Sequence, residues 1–408
     1  MKLWKKIVLG LLILFVAVQI PFCWRRLQLG AINSKINDLN ANRIEIKNEG
    51  FRHYKGVIHV HTLLGGHSAG SFNELIAAAQ ENGLDFVLLT EHPSPLYDTS
   101  RQTLNGSHGG VLFVGGNEVS SKQGDRFLIL PGDADANQDN TKDTADLLNW
   151  AKQKNRLVLI TYPDKYKAWE TAKDFDGSEV YSLHSNAKNF PRFLTFFDYF
   201  WSFGVYPELT MARNFERPNA NLQKFDELTS GGKKMILFGA SDAHSNIGLS
   251  FSDRANHNLL KTQIDSYTTI FRLVRLHVWL ENNKELTQEN LLEAVKNGHC
   301  YLAFDVLGDS DGFIFKADTG AEQQIMGDDI TLTTRVALSA QSPVKSRFIL
   351  FRNGIKIQEF ADTDNFSFVA HETGVYRVEV YLDSLNFSSS PWIISNPIYV
   401  KQLSIAVQ

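Results

Sequence analysis

The stretch that decides the fold is residues 56–95, GVIHVHTLLGGHSAGSFNELIAAAQENGLDFVLLTEHPSP. Two short, largely apolar runs in it, Val57–Val60 and Phe86–Leu89, predict buried strands. Alternate residues of a strand point the same way, so we expect the imidazoles of His59 and His61 to project together. The metal-binding residue types in the stretch are His59, His61, His67, Glu91 and His92. Imidazoles and a carboxylate gathered at two strand ends predict a metal site.

Strand-like and helix-like stretches alternate from residue 51 to about residue 308. The predicted strands are Val57–Val60, Phe86–Leu89, Val111–Val114, Leu157–Thr161, Glu179–Ser182 and Met235–Gly239. The predicted helices are Phe72–Asn82, Asp143–Lys154, Thr268–Leu280 and Gln288–Asn297. Ser71 and Glu74 predict a capping box at the start of the first helix. This alternation is typical of an α/β fold with a parallel sheet, either open or closed to a barrel.

A polar residue that could bind a metal follows nearly every predicted strand. These residues are His59, His61, Glu91, His92, Asn117, Glu118, Tyr162, Asp164, His184, Asp242 and His244. Sites in such folds collect at the carboxyl ends of the strands. A single histidine is more often structural than functional. Six of the twelve histidines share this placement, however, once His67 in the loop after the first strand is counted, and that favours a common site.

The length, net charge and cysteine count of the chain limit the classes of function and the kinds of metal site. A chain of 408 residues has room for one large domain and one smaller domain. The net charge of −4 gives no reason to expect a nucleic-acid partner. The two cysteines, Cys23 and Cys300, are too few for a cysteine-based zinc site. Any metal must therefore be held by histidine, aspartate and glutamate.

The N-terminus predicts a membrane anchor. Three lysines precede an apolar run from Ile7 to about Trp24, which is long enough to span most of a bilayer core. We expect residues 1–26 to form an uncleaved, single-pass signal anchor and residues 27–50 to form a helical or loose linker. The lysines favour a cytoplasmic N-terminus, which leaves the rest of the chain outside the cytoplasmic membrane. The alternatives are a cleaved signal peptide, giving a secreted or periplasmic protein, and a buried helix of a soluble chain.

The composition changes near residue 309. Thr331–Leu338 and Tyr376–Val380 alternate apolar and polar residues, and Asn353-Gly354 predicts a hairpin turn. Several short strands of this kind predict a smaller all-β sandwich over residues 309–408. The α/β domain would then cover residues 51–308.

Five short motifs in the α/β region resemble the polymerase and histidinol phosphatase (PHP) superfamily. They are His59-Val60-His61-Thr62, His67, Thr90-Glu91-His92, Gly116-Asn117-Glu118 and Ser241-Asp242-Ala243-His244. The resemblance covers roughly residues 55–250. It implies a distorted seven-stranded (β/α) barrel that holds two or three divalent ions and hydrolyses phosphoesters. The residue types suit zinc, manganese or iron.

The resemblance also implies a ligand set. One ion would be held by His59, His61, Glu118 and Asp242, and another by His67, His92 and His244. Glu118 would bridge towards a further ion that also takes His184. Asp242 and His244 are in addition the expected catalytic residues, because Asp242 or metal-activated water would pass a proton to the leaving group.

The chain departs from the family pattern at two positions. Tyr162 stands before Pro163 where the family has a histidine, and Glu91 stands where it has an aspartate. Tyr162 could bind as a phenolate, Asp164 could reach the ion instead, or that ion position could be weak or empty. Glu91, Tyr162 and Asp164 are therefore possible ligands or supports of ligands.

The leading hypothesis is a metal-dependent phosphoesterase acting on a small-molecule or phosphorylated substrate. Candidate phosphate-binding residues are Lys165, Arg213 and Arg217. The stretches Gly374–Glu379 and Pro391–Val400 resemble the tail of the PHP branch that includes carbaryl hydrolase. That resemblance makes a carbamate, ester or amide the alternative substrate. A degenerate, non-catalytic barrel used for binding is the alternative outside enzymes.

Overall fold

The computed structural model describes residues 2–46, 48, 50–137, 141–187, 192–252, 258–387 and 389–403. Over these residues the protein is a mixed α/β structure with a large sheet, a second sheet of five strands and a long N-terminal helix. The helices are α1 (Leu3–Ala41), α2 (Phe72–Glu81), α3 (Thr99–Gln102), α4 (Thr144–Gln153), α5 (Leu183–Ala187), α6 (Arg192–Asp198), α7 (Pro207–Ala212), α8 (Asn219–Ser230), α9 (Tyr267–Ile270) and α10 (Gln288–Asn297).

The first thirteen strands lie before residue 304. They are β1 (Phe51–Val60), β2 (Phe86–Leu89), β3 (Gly106–His108), β4 (Val111–Val114), β5 (Asn117–Ser120), β6 (Arg126–Leu130), β7 (Leu157–Thr161), β8 (Gly177–Ser182), β9 (Ile236–Ala240), β10 (Gly248–Ser252), β11 (Asn258–Gln263), β12 (Arg275–Glu281) and β13 (Cys300–Ala303). The large sheet pairs β1, β2 and β4 in parallel, and the five-stranded sheet runs β5-β6-β7-β8-β9. Strand β6 is antiparallel to both of its neighbours, so the sheets are mixed rather than wholly parallel.

Backbone hydrogen bonds join the two sheets at both ends of the five-stranded sheet. Glu91 after β2 bridges to Asn117 at the start of β5. Val60 at the end of β1 bridges to Ala243, just after β9. These bridges bring the carboxyl ends of β1, β2 and β9 to one place, where most of the predicted ligands lie.

The remaining strands follow residue 313. They are β14 (Ile314–Asp318), β15 (Gln323–Ile325), β16 (Asp329–Leu332), β17 (Val336–Arg352), β18 (Ile355–Ala370), β19 (Gly374–Tyr381), β20 (Ile393–Ser395) and β21 (Ile398–Gln402). The predicted turn at Asn353-Gly354 is confirmed, because both residues have positive φ and join β17 to β18 as a hairpin. The capping box at Ser71 and Glu74 is confirmed as well.

Two predictions of secondary structure are wrong. The helix expected over Thr268–Leu280 is only the short helix α9, followed by strand β12. Leu276, Val278 and Leu280 are apolar at every second position, which is the period of a strand. The segment forms a strand because it pairs with β1 on one side and with β13 on the other. The single strand expected over Thr331–Leu338 is broken, because β16 pairs with β21 whereas β17 pairs with β14 and β18.

Helix α1 is long and apolar enough to cross a membrane. It does not stop at residue 26 but continues to Ala41, so the first half of the expected linker belongs to the same helix. Leu29, Ile32, Ile36 and Leu39 recur on one helical face, and Leu29 and Ile36 are buried in the main core. The helix is therefore attached to the folded part of the protein along its second half.

The C-terminal strands are built into the same folded unit. Strand β20 pairs with β13 and thereby continues the large sheet. Asn396 bonds the backbone N–H and C=O of Leu237 in β9 at 2.8 and 3.0 Å. Buried Arg377 in β19 forms a two-bonded ion pair with Asp226 of α8, at 2.7 and 2.6 Å. The boundary expected at residue 309 stays a prediction, but many strong contacts cross it.

Candidate metal centre

The centre begins at an irregular point of strand β1. The pairing of β1 with β2 shifts between Ile58 and Val60, and His59 between them has φ of 65°. A left-handed conformation is uncommon for a residue other than glycine, and such residues cluster at functional sites. His61 follows the strand, and its N–H donates to the backbone oxygen of Ala243 at 3.0 Å. The two imidazoles therefore converge because of a bulge and a strand end, not through simple alternation.

Four ligand atoms meet at the ends of β1, β5 and β9. Oε2 of Glu118 lies 3.4 Å from Nε2 of His59 and 3.4 Å from Nε2 of His61. Oδ1 of Asp242 lies 3.5 Å from each of the same two nitrogens. All four side chains are almost fully buried. The ligand set expected for one ion is thus brought together.

The spacing of these atoms fits a divalent ion. A tetrahedral site with metal–ligand bonds of 2.0–2.1 Å has ligand atoms about 3.3–3.4 Å apart. Nε2 of His59, Nε2 of His61 and Oδ1 of Asp242 are buried and have no hydrogen-bond partner. Buried polar atoms are normally paired, so three unpaired atoms facing one point call for a ligand. The residues therefore fit a bound metal ion on both distance and chemistry.

A second, looser group of ligands shares His61. Ligand atoms of His61, His92 and His244 all lie within 4.8 Å of one another. The His61 ring is stacked between those of His92 and His244, with centroids 4.7 and 4.5 Å away. Predicted ligand His67 lies beside His92, with ring centroids 4.8 Å apart. Of the three histidines expected at another ion, His92 and His244 are thus grouped with His61, whereas His67 lies beside His92 but in none of the ligand groups among the described residues.

Glu179 is the residue that sequence reasoning missed. Its Oε2 lies 3.0 Å from Nδ1 of His59, and its side chain is fully buried in strand β8. A carboxylate on the far nitrogen of a metal-binding histidine fixes the ring and raises its basicity. The signal was present in the sequence as a glutamate within the expected strand Glu179–Ser182. It was overlooked because only residues after strand ends were considered.

Tyr162 supports a ligand in this structure. Its phenol donates a 2.6 Å hydrogen bond to Oδ2 of Asp242. Burial, followed by the charges of Asp242 and Glu118, raises the pKa of Tyr162, so the phenol keeps its proton. Tyr162 and Asp242 also both have positive φ, of 49° and 46°. The hydrogen bond leaves Oδ1 of Asp242 directed at the two histidines.

The remaining residues whose role the sequence left open are Glu91, Asp164 and His184, and their surroundings differ from those of Tyr162. Glu91 is buried and accepts hydrogen bonds from the N–H and hydroxyl of Thr62 and from the hydroxyl of Thr103. It thereby holds the loop after His61 and is not directed at the ligands. Asp164 is exposed and belongs to none of the ligand groups among the described residues. His184 lies in helix α5, but its side chain is outside the described residues, so its expected role stays a prediction.

Charges inside the centre shift its protonation. Burial alone would lower the pKa of His59, but Asp242 and Glu118 outweigh it and raise that pKa well above its ordinary value. The histidines in turn overcome burial and lower the pKa of Glu118 to about 2 and that of Asp242 well below its ordinary value. Burial, then His61, lowers the pKa of His92 to about 4. In the ion-free protein, a proton on His59 therefore supplies positive charge to Asp242 and Glu118, as a bound ion would.

A cavity of about 790 Å³ opens onto these ligands. Its polar end includes Arg126, whose Nη1 lies 3.4 Å from Oε1 of Glu118. Arg126 and Lys165 both contact the Tyr162 ring, at 5.5 and 4.9 Å from its centroid. Away from the ligands the wall is largely apolar.

Two of the expected phosphate-binding residues are engaged elsewhere. Arg213 pairs with Asp198, and Arg217 forms a two-bonded ion pair with Glu379. Arg126, which the sequence did not single out, stands at the site instead.

A further polar cluster lies near the start of β1. It includes His53, His277, Asp305, Asp309 and Asp311. Its carboxylates are matched by cations, since Asp305 pairs with Arg275, Asp309 with Arg43 and Asp311 with Lys55. The charges balance without an added ion, and the cluster is explained as a structural network.

Neither a protein family nor a curated protein sequence matches this chain. Among solved structures, PsfC from Pseudomonas syringae PB-5123 has 13% sequence identity and a TM-score of 0.34, over 59% of this chain and 87% of PsfC. Endonuclease Q, solved with a 27-mer duplex substrate that carries an abasic lesion at the active site, has 12% identity and a TM-score of 0.34. That match covers 60% of this chain and 56% of endonuclease Q. At this level the similarity carries no argument about function.

Proposed function

We propose that the protein is a metal-dependent hydrolase that cleaves a phosphoester with water activated by divalent ions. The observation that carries the proposal is that Oε2 of Glu118 and Oδ1 of Asp242 each lie 3.4–3.5 Å from Nε2 of both His59 and His61, with three of these four atoms unpaired. The looser histidine group beside it would hold a second ion. Zinc, manganese and iron all suit these residue types.

The proposal includes the architecture and the location. We assign the α/β region to a PHP-like barrel and the strands after residue 313 to a β-sandwich. The sheet bridges at Glu91 and Val60 support the first assignment, because they would close a ring of strands around the ligands. We place the protein in the cell membrane through α1, with the metal centre on the extracytoplasmic side, following the lysines before the apolar run.

The chain's own residues prepare the site for this reaction. Bound ions would supply a Lewis acid and a water of lowered pKa. Glu179 orients the His59 ring, and Tyr162 orients the Asp242 carboxylate. Nδ1 of His244 donates to the backbone oxygen of Asp242 at 2.8 Å, which leaves its Nε2 free to bind an ion or accept a proton. Asp242 and His244 both line the cavity, where either can pass a proton to a leaving group.

Positive charge at the cavity supports a phosphoester over the alternatives. The guanidinium of Arg126 is half-exposed beside Glu118, close enough to contact an oxygen of a bound phosphate. Lys165 also lies over the Tyr162 ring, but it lines a neighbouring pocket together with Arg126 and not this cavity. A carbamate, ester or amide has no charge that needs the Arg126 cation, although the same ions could cleave it.

The experiment uses the full-length protein in detergent, stripped with a chelator and reloaded with zinc, manganese or iron(II). Metal analysis should find at least one tightly held ion per chain. The substrate panel contains p-nitrophenyl phosphate, bis-p-nitrophenyl phosphate, p-nitrophenyl acetate, an aryl N-methylcarbamate and a duplex oligonucleotide. We expect turnover of a phosphoester, and a loss of more than about 100-fold in His59→Ala and Asp242→Asn.

The matched control is His371→Ala, since His371 is an exposed histidine in a loop between β18 and β19. It should keep both the metal and the activity. Turnover of only the acetate or the carbamate would select the alternative hydrolase. Fewer than one bound ion per chain would contradict the hydrolase and favour the non-catalytic binding protein.

A further inference from the structure

An aromatic segment lies between the metal centre and helix α1. Helix α6 and the π-helical turn that follows it, residues 192–203, have the sequence RFLTFFDYFWSF, in which seven of twelve residues are aromatic. Leu194, Phe196 and Phe200 in this aromatic segment are exposed, Phe196 to 64% and Phe200 to 71%. Exposed phenylalanines that lie next to one another indicate a surface that contacts a membrane or another protein.

The aromatic segment packs directly on α1. Phe197 contacts Phe22, with ring centroids 5.2 Å apart, and Nε1 of Trp201 donates to the side chain of Gln19 at 2.9 Å. Asp198 pairs with Arg25 at 3.1 Å. Three contacts at successive turns of α1 fix the height of the segment along that helix.

These contacts place the segment at the depth of a membrane interface. Arg25 is the first charged residue after the apolar run, and Gln19 precedes it by six residues, or about 9 Å along an α-helix. Trp201 is bonded at the level of Gln19, where residues such as Val18 and Ile20 on the rest of α1 are exposed. Helices that lie in a membrane surface bury their apolar face about 5–10 Å deep. If α1 crosses the bilayer, Phe200 and its neighbours must enter the same leaflet.

Part of the aromatic segment also lines the cavity of the metal centre. Thr195, Phe196 and Tyr199 form part of the same wall as His67, His92 and His244. Between them the wall is apolar, with Met211, Phe215 and Leu273. A single cavity thus leads from the metal ligands to the aromatic segment, and Arg126 beside the ligands is the one arginine or lysine among the described residues that line it.

We propose that the substrate is a membrane lipid with a phosphorylated headgroup, which enters the cavity from the leaflet at the Arg25 end of α1. The inference rests on the proposed hydrolase function. The headgroup phosphate lies at the metal ligands and Arg126, and part of the hydrocarbon lies against the apolar wall. The oxygen of water forms a bond to phosphorus, the bond from phosphorus to the lipid alcohol oxygen breaks, and a proton from that water goes to the departing alcohol.

The first test measures depth in the full-length protein reconstituted in phosphatidylcholine–phosphatidylglycerol vesicles. Phe200→Trp is compared with Ile355→Trp, because Ile355 is 70% exposed at the β17–β18 hairpin, far along the chain from α1. Lipids brominated near the headgroup end of the acyl chain should quench at least half of the fluorescence added by Phe200→Trp, and none of that added by Ile355→Trp. Equal quenching of the two would overturn the proposed membrane contact.

The second test compares lipids with their water-soluble headgroups. Phosphatidic acid, a prenyl phosphate and phosphatidylglycerol in vesicles are assayed beside glycerol 3-phosphate, isopentenyl phosphate and glycerophosphoglycerol. At least one lipid should be turned over with kcat/KM about 100-fold above its headgroup. The double change Leu194→Ser and Phe200→Ser, at residues that do not line the cavity, should lower lipid turnover at least tenfold. Hydrolysis of p-nitrophenyl phosphate should stay within twofold, as in the control Ile355→Ser.

The outcomes separate the two proposals. Hydrolysis of p-nitrophenyl phosphate with no preference for any lipid over its headgroup would overturn the lipid substrate and leave the hydrolase standing. No turnover of any phosphoester would overturn both.

Discussion

The phenol of Tyr162 donates a 2.6 Å hydrogen bond to Oδ2 of Asp242, and both residues are held at positive φ. Tyr162 thereby contacts a carboxylate of the centre, at the position where the resemblance to the PHP superfamily predicts a histidine. The strained backbone at both residues is stabilised by the surrounding sheet, and the hydrogen bond fixes which oxygen of Asp242 faces His59 and His61.

The first prediction concerns this hydrogen bond. Tyr162→Phe removes the donor to Asp242 and should weaken metal affinity 10–100-fold, the usual effect of losing a partner of a metal ligand. The control is Tyr166→Phe, because the Tyr166 hydroxyl donates to the backbone of Ala172 and contacts no ligand. Competition with a fluorescent chelator measures both affinities. Tyr162→His should raise the number of bound ions if the position is that of a lost ligand.

A second prediction tests the residue that sequence reasoning missed. Glu179→Gln replaces the carboxylate on Nδ1 of His59 by a neutral amide, and zinc affinity should fall about tenfold. Asp176→Asn is the control, since this half-buried carboxylate just before β8 accepts from the backbone N–H of Val158 at 2.8 Å. If the two substitutions lower zinc affinity equally, Glu179 has only a structural role.

The third prediction is a pH dependence. The raised pKa of His59 adds stability to the ion-free protein below about pH 6.5, and this is lost as pH rises through the folded pKa. The lowered pKa of Glu118 adds stability above about pH 4.3, and this is lost as pH falls towards 2. Metal must displace the proton of His59, so its stabilising effect should grow with pH.

Calorimetry of the full-length protein with zinc and with chelator measures this effect. The difference in Tm between the two should increase from pH 6 to pH 8. A constant difference would mean that no proton leaves the centre when the ion binds.

The fourth prediction concerns the buried ion pair between β19 and α8. Arg377→Met leaves Asp226 without its partner and should lower the free energy of unfolding by about 3–5 kcal/mol. The control is Arg347→Met, since the ion pair of Arg347 with Asp383 is much more exposed and is worth about 1 kcal/mol or less. Urea unfolding followed by circular dichroism compares them.

A fifth prediction concerns the C-terminal strands. A chain ending at residue 308 loses β20, which pairs with β13, and the Asn396 side chain that bonds Leu237 in β9. It should be aggregated or without a cooperative unfolding transition, even though it contains every proposed ligand. A stable, metal-binding 1–308 fragment would show that the expected domain boundary at 309 is correct in full.

Sequence alone was sufficient where local pattern and chemistry decide the outcome. The apolar runs before His61 and His92, the capping box at Ser71 and the turn at Asn353-Gly354 depend on nearest neighbours, and the structure has them. It was insufficient for β12, because whether Leu276–Leu280 forms a helix or a strand depends on β1 and β13, which lie far away in the chain. It also missed Glu179, whose contact with His59 exists only once β8 and β1 share a centre.

The sequence by itself therefore determined which elements and ligand residues are present. These are an apolar N-terminal helix and a set of histidines and carboxylates placed after strands. Tertiary structure decided which of them meet, because ligand geometry depends on bridges between sheets that join residues such as Val60 and Ala243. It also decided the role of Tyr162, since only folding brings its hydroxyl to Asp242. The same packing sets the aromatic segment against Gln19 and Phe22, so a local run of phenylalanines becomes a surface at a defined position along α1.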